Sequence, residues 1–346
     1  MVPLRNILSL ILPLLGCTVA FASSMYAQEE ARTPTQLAEE VGIAPSLMQF
    51  FGPLPENMNL ADAPATPEQI SLGKKLFFET KLSKDGSLSC NSCHALESFG
   101  VDQQPFSSGV DGRLGKRNSP TVLNAAGHKT QFWDGRAADV EEQAKIPILN
   151  PLELAMDSAE QVLGILTQDA SYPKLFAAAF PEDAEPLSWD NLARAIGAFE
   201  RQLVTPAPWD AFLTGEVSAL TALEKEGFKA FIDTGCFGCH NGPFMGGQIY
   251  MKLGLVHPWP NQEDPGREAI TGMEGHRMVF KVPSLRNVEK TGPYFHDGSV
   301  ETLEEAVQMM SHHQRGIDLT NAEVESIVAF LGSMTGKLDL SGDEEE

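Results

Sequence analysis

The chain has 346 residues, with 47 acidic and 25 basic side chains and a net charge of −22. That balance excludes nucleic acid as a partner, because a phosphate backbone would be repelled. It favours a small basic or neutral partner, and the length suits two domains.

The first residues, Met1 to Arg5, lead into an apolar run from Ile7 to Ala22 that ends Ala20-Phe21-Ala22. A basic start, a short apolar run and a small-residue cleavage site make residues 1–22 an export signal. Pro13 and Gly16 argue against a permanent membrane helix. The mature chain is therefore expected in the periplasm. Leu14-Leu15-Gly16-Cys17 also reads as a lipobox, which would leave a lipid anchor on Cys17.

Helix signals dominate the rest. Thr66-Pro67-Glu68-Gln69 combines an N-cap, a proline at the first helical position and a closing glutamine. Ile70, Leu72, Leu76 and Phe77 form its apolar stripe. Trp189, Leu192, Ile196 and Phe199 mark a middle helix. Thr221 to Glu224 and Thr320 to Glu323 start two more, the last carrying Val324, Ile327, Val328 and Leu331. Convincing alternating strands are missing.

Two Cys-x-x-Cys-His motifs follow two of these helices, Cys90-Asn91-Ser92-Cys93-His94 and Cys236-Phe237-Gly238-Cys239-His240. Each supplies two thiols for haem vinyl groups and a histidine for the iron. A zinc site is the competing reading. It fails because both cysteine pairs are followed by histidine and lie far apart in the chain. The expected fold is all-α, with two cytochrome c-like domains each built around one covalently attached haem c. The first spans 35–205 and the second 206–338. The boundary falls near Thr205-Pro206-Ala207-Pro208. The acidic tail, 339–346, is given no function.

An internal repeat accompanies the motifs. Gln131-Phe132-Trp133-Asp134-Gly135 echoes Tyr294-Phe295-His296-Asp297-Gly298, and Ser119 to Asn124 echoes Pro283 to Asn287. In the second copy Glu304-Glu305 leads to Met309-Met310, whose thioethers suit a low-spin electron-transfer haem. In the first copy Glu141-Glu142 leads to Ile146-Pro147, which cannot bind iron. The first haem is thus expected to keep an open side, unless His128 or Met156 reaches it. Glu153, a few residues on, places a carboxyl where it can move a proton between the oxygens of bound peroxide.

These segments resemble the bacterial dihaem cytochrome c peroxidase family, from about Thr66 to Gly336. The resemblance rests on Leu82 to Gly86, Arg117 to Thr121, Gln131 to Ala137, Pro293 to Gly298 and Met310 to Gly316. It implies that His94 and His240 are proximal ligands of the peroxidatic and electron-transfer haems. It implies Met310, rather than Met309, as the distal ligand of the second haem. Trp133 matches a tryptophan between the haems. Gln143 and Glu153 match a distal pair in the peroxide pocket, and His296 a histidine near the second haem. Asn118 matches a side chain that helps hold Ca²⁺, with carbonyls near Val282 and Ser284. The expected cofactors are two haem c and one Ca²⁺. The expected partners are hydrogen peroxide and a small periplasmic electron donor, a cytochrome c or a cupredoxin, and the enzyme is expected to be a homodimer.

One departure stands out. Many relatives carry a gating histidine in the loop after the first motif, where this chain has Val110. The first iron is therefore expected to be open without prior reduction. Two other readings compete. An enzyme that oxidatively modifies a protein side chain would carry tyrosine in place of Met310. A non-enzymatic dihaem carrier would need a fixed sixth ligand on the first haem.

Overall fold

The structure is a computed structural model that describes residues 31–339. The export signal, the Cys17 lipobox and all of the acidic tail but Asp339 lie outside the described residues. The helices are α1 (Pro34–Val41), α2 (Pro67–Phe77), α3 (Cys90–Cys93), α4 (Val140–Leu149), α5 (Ala159–Gln168) and α6 (Ser171–Ala179), then α7 (Trp189–Glu200), α8 (Pro208–Leu213), α9 (Ala222–Asp233), α10 (Glu268–Thr271), α11 (Leu303–Met310) and α12 (Asn321–Gly332). One antiparallel strand pair, β1 (Tyr250–Lys252) and β2 (Val279–Lys281), interrupts them. Three-residue strands are too short for alternation to show in sequence.

The expected caps form. The Thr66, Thr221 and Thr320 hydroxyls accept from Gln69, Glu224 and Glu323 amides, and each third residue's side chain reaches back. The same signature at Thr33 to Gln36 starts α1.

Each half repeats one crossing. α2 meets α7 at Gly73, where a Cβ would stand 1.8 Å from the Ala195 carbonyl; α9 meets α12 at Gly227, with the same 1.8 Å to Ser326. Only glycine permits such backbone approach. The first-half core gathers Leu72, Leu76, Ile148, Tyr172, Phe176 and Ile196. The second gathers Trp209, Phe212, Phe228, Phe231 and Phe330. Leu37, Ala38, Val41 and Met48, read from sequence as part of the first half, pack into the second core.

The expected boundary is a buried junction. Thr205 is fully buried, and its hydroxyl accepts from Asn124 at 2.8 Å and from Asn287 at 2.9 Å. These asparagines are repeat equivalents, both left-handed at φ 61° and 59°. Thr205→Val would strand two buried amide donors while keeping side-chain shape. It is expected to lower the unfolding free energy by about 2 kcal/mol in denaturant titration.

Candidate active site

Cys90–Cys93 is one helical turn with His94 as its C-cap, so both thiols and the imidazole leave a single turn of backbone. All four cysteines among the described residues are unbridged. His94 Nδ1 lies 3.4 Å from the Gly100 carbonyl, and His240 Nδ1 lies 3.3 Å from that of Met245. A carbonyl partner holds the proton on Nδ1 and leaves the lone pair of Nε2 available to a metal. Burial pushes both imidazoles down, His240 to about 4, so both are neutral near pH 7. Burial also pushes the Cys90 thiol up to about 12 and that of Cys236 to about 11. Thiols in such apolar walls suit conversion to uncharged thioethers.

A cavity of about 820 Å³ opens beside Cys90, Cys93 and His94. Gln143, Glu153 and Glu200 line it from the first half; Asp264, His296 and Asp297 line it from the second. His296 is buried, and neither ring nitrogen has a partner among the described residues. Buried polar atoms left this way call for a group to complete them. Volume, paired thiols, free Nε2 and orphaned ring together fit a covalently attached haem.

The distal wall comes from α4 and the turn after it. Pro147, the repeat counterpart of Met310, lines the cavity and offers no ligand. As a proline it also leaves the Gln143 carbonyl without its helical donor. The chain then folds back: Leu154 N–H donates to the Pro147 carbonyl and Met156 N–H to that of Ile148. This places the half-buried Glu153 on the same cavity as Gln143. Burial raises the Glu153 pKa; a 2.7 Å bond from Asn150 and the charge of Arg136 oppose the rise. Met156 is packed in the first-half core, and His128 lines a different cavity. Neither is among the residues lining the His94 cavity.

Val110 is 4% exposed and also absent from that lining. Its N–H donates to the Glu153 carbonyl at 2.9 Å. Gly109 lies so close that a Cβ would stand 2.0 Å from the Leu152 carbonyl. The loop that carries Val110 is thus docked on the Glu153 turn.

In the second half, Met310 ends α11 and a π-turn, Ser311–Arg315, follows. Gln314 accepts from the Gly254 and Leu255 amides, and Arg315 donates to the Thr234 carbonyl just before Cys236. The segment after Met310 is thereby clamped beside the second motif. Met309 instead packs with Trp259, Met278 and Phe280.

Trp133 lines both the His94 cavity and a smaller one of about 120 Å³ between the repeats. Its indole N–H donates to the Asn118 carbonyl at 2.9 Å, and its ring meets His296 edge-on. Asn118, Pro283 and Ser284 line the smaller cavity together. The Asn118 amide donates to Gln104, which leaves its oxygen for a cation. The fit to Ca²⁺ is incomplete. The Val282 carbonyl already accepts from Gly247, Lys281 lines the cavity, and no carboxylate does.

Sequence reading passed over three groups. Arg117 grips Asp264 through two bonds, of 2.6 and 2.8 Å, and Asp134 through one of 2.6 Å, tying a second-half loop over the cavity. Lys281 is buried beside His128. Glu200 stands on the Ile196 face of α7, where its spacing could have revealed it.

The profile of the family described as di-haem cytochrome c peroxidase matches residues 67–218. The chain is 45% identical to the cytochrome c551 peroxidase of Pseudomonas aeruginosa over 88% of its length and 89% of that protein. It is 33% identical to the methylamine utilization protein MauG of Methylophilus methylotrophus, over 79% and 84% of the two chains. A crystal structure of a MauG-like protein associated with microbial copper homeostasis superposes with a TM-score of 0.72 at 30% identity, covering 82% of this chain and 93% of that one.

Burial alone would raise Asp264, yet Arg117 holds it below its ordinary 3.8. Stability from a lowered carboxylate is present at neutral pH and lost as pH falls through the lowered value. Arg117→Met should cost about 2 kcal/mol at pH 7 in denaturant unfolding. The deficit should shrink as Asp264 is protonated in acid.

Proposed function

The chain belongs to the di-haem cytochrome c peroxidase family and is an enzyme of that kind, and on this premise we propose that it reduces hydrogen peroxide to water in the periplasm. The family carries two haem c. The observation that carries the reading is the distal wall of the His94 cavity, where Gln143 and Glu153 face in and Pro147 stands in the place of Met310.

The haem supplies an iron that binds peroxide and relays electrons. In this reading Cys90 and Cys93 anchor one haem and Cys236 and Cys239 the other, through thioether bonds. His94 would ligate the first iron, and His240 and Met310 the second. Trp133, which lines both cavities, lies on the electron path between the halves. Glu153 takes the proton from the inner oxygen of peroxide and returns it to the outer one. Gln143 orients the oxygens through its amide. Peroxide, two electrons and two protons give two waters.

The electrons come from a small cytochrome c or cupredoxin, and the charge of −22 favours a basic or neutral carrier. The leader supports a periplasmic site, lipid-anchored if Cys17 is retained. Among the described residues no helix is long and apolar enough to cross a membrane. Family resemblance supports a homodimer. It also supports one Ca²⁺ held by the Asn118 oxygen, backbone carbonyls and water.

Glu153→Gln is expected to lower turnover at least about 100-fold while both haem spectra stay unchanged; near-normal turnover would remove the acid–base role. Because burial raises Glu153, the acid limb of the wild-type rate profile should lie above the ordinary value of 4.5. Electron paramagnetic resonance of the fully oxidised holoprotein should show one high-spin and one low-spin ferric haem. Two low-spin haems would mean that another side chain closes the first iron.

A further inference from the structure

Glu200 is a buried acid that the mechanism above does not use. It ends α7, is 4% exposed, and lines the His94 cavity. Its carboxyl makes no side-chain hydrogen bond among the described residues. The adjacent cation is engaged elsewhere: the Arg201 guanidinium gives three bonds, of 2.8 to 3.1 Å, to Glu141. The surroundings add little charge. α2 turns Leu72, Gly73, Leu76 and Phe77 inward, and the segment 125–127 presents Ala125. From α4 comes Glu141, and from α3 comes Cys90, which no longer titrates once it is a thioether. Burial pushes Glu200 up to about 8; Glu141 adds to the push and Arg201 opposes it.

A buried carboxyl without a donor is destabilising, and a leucine or glutamine would relieve it. Its place in the wall of a redox-cofactor cavity gives it a use. We propose that Glu200 is the proton-accepting group of the His94 haem site, taking one proton from solvent when an electron reaches that haem. The inference rests on the two-haem reading above.

The physics is electrostatic. A ferric haem carries one more positive charge than a ferrous one, and in a low-dielectric wall that charge favours the facing carboxylate. Reduction removes the charge, and the carboxylate binds a proton. The electron comes from the donor by way of the second haem, and the proton from water. Glu200 goes from carboxylate to carboxylic acid, and no bond of the substrate is involved. Glu200 is thus a positioning residue for protons, distinct from Glu153, which touches peroxide.

The test is spectroelectrochemistry of the holoprotein between pH 5 and 9, following the midpoint potential of the His94 haem. In the wild type that potential should fall with rising pH across part of this range. In Glu200→Gln, with both haems still attached, the dependence should vanish there, whereas Glu153→Gln should keep it. Glu141→Gln removes the repelling charge and should move the dependence to lower pH, which serves if Glu200→Gln fails to mature. A flat wild-type potential, a slope that survives Glu200→Gln, or no movement in Glu141→Gln would each overturn the proposal. A wrong peroxidase assignment would show differently, as missing peroxide turnover in a protein whose potentials can still be measured.

Discussion

The hydroxyl of Thr205 accepts from Asn124 and Asn287, one side chain from each repeat, at a fully buried point. Asparagine enters the left-handed region more readily than most residues, and the same hydrogen-bond accounting holds both copies there. The chain returns symmetrically around them: Asn124 N–H donates to Leu203, and Asn287 N–H to Met334. With this junction fixed, each repeat's Phe-x-Asp-Gly turn lands on the other half. Gly135 sits against Tyr250, and Gly298 against Pro105, both too close for a Cβ. The two halves are locked in mutual register, so a wall of the His94 cavity can be built from Asp264 and His296, far away in sequence.

On this symmetric frame the chemistry depends on a few asymmetric substitutions. Both copies start a helix under a capped N-terminus, α4 after Asp139 and α11 after Thr302. The first then reaches Pro147 and the turn that returns Glu153 to the cavity. The second reaches Met310 and a π-turn pinned by Gln314 and Arg315. Trp133 and His296 hold the same repeat position and meet edge-on. One scaffold used twice thus yields two differently built sites, as the proposed division between substrate and electron transfer requires.

Burial does most of the electrostatic work. It keeps His94 and His240 neutral, holds Glu153 above its ordinary range and pushes Glu200 further still. Near the cavity Arg117 is paired with Asp134 and Asp264, and Arg201 with Glu141. A buried ion pair of this kind specifies one arrangement of loops more than it adds stability. Glu200 has no such pairing, since its neighbouring cation is directed to Glu141.

The cysteine and histidine spacing, the capping threonines and the repeat were enough to read the helices and to expect haem attachment and no ligand at Pro147. These are local facts: a haem motif or a cap needs only a few consecutive residues. The valine at position 110 was legible, but its hydrogen bond to the Glu153 carbonyl was not. Nor could sequence show that α1 packs into the second core, that the expected boundary at Thr205 is buried, or that Arg117 holds a loop from the other half. Those contacts join residues far apart in the chain, and they exist only after packing has excluded water and forced each buried polar group to find a partner. Glu200 falls between the two. Its helical position was readable from spacing, but its lack of a partner was decided by where Arg201 points in the folded chain.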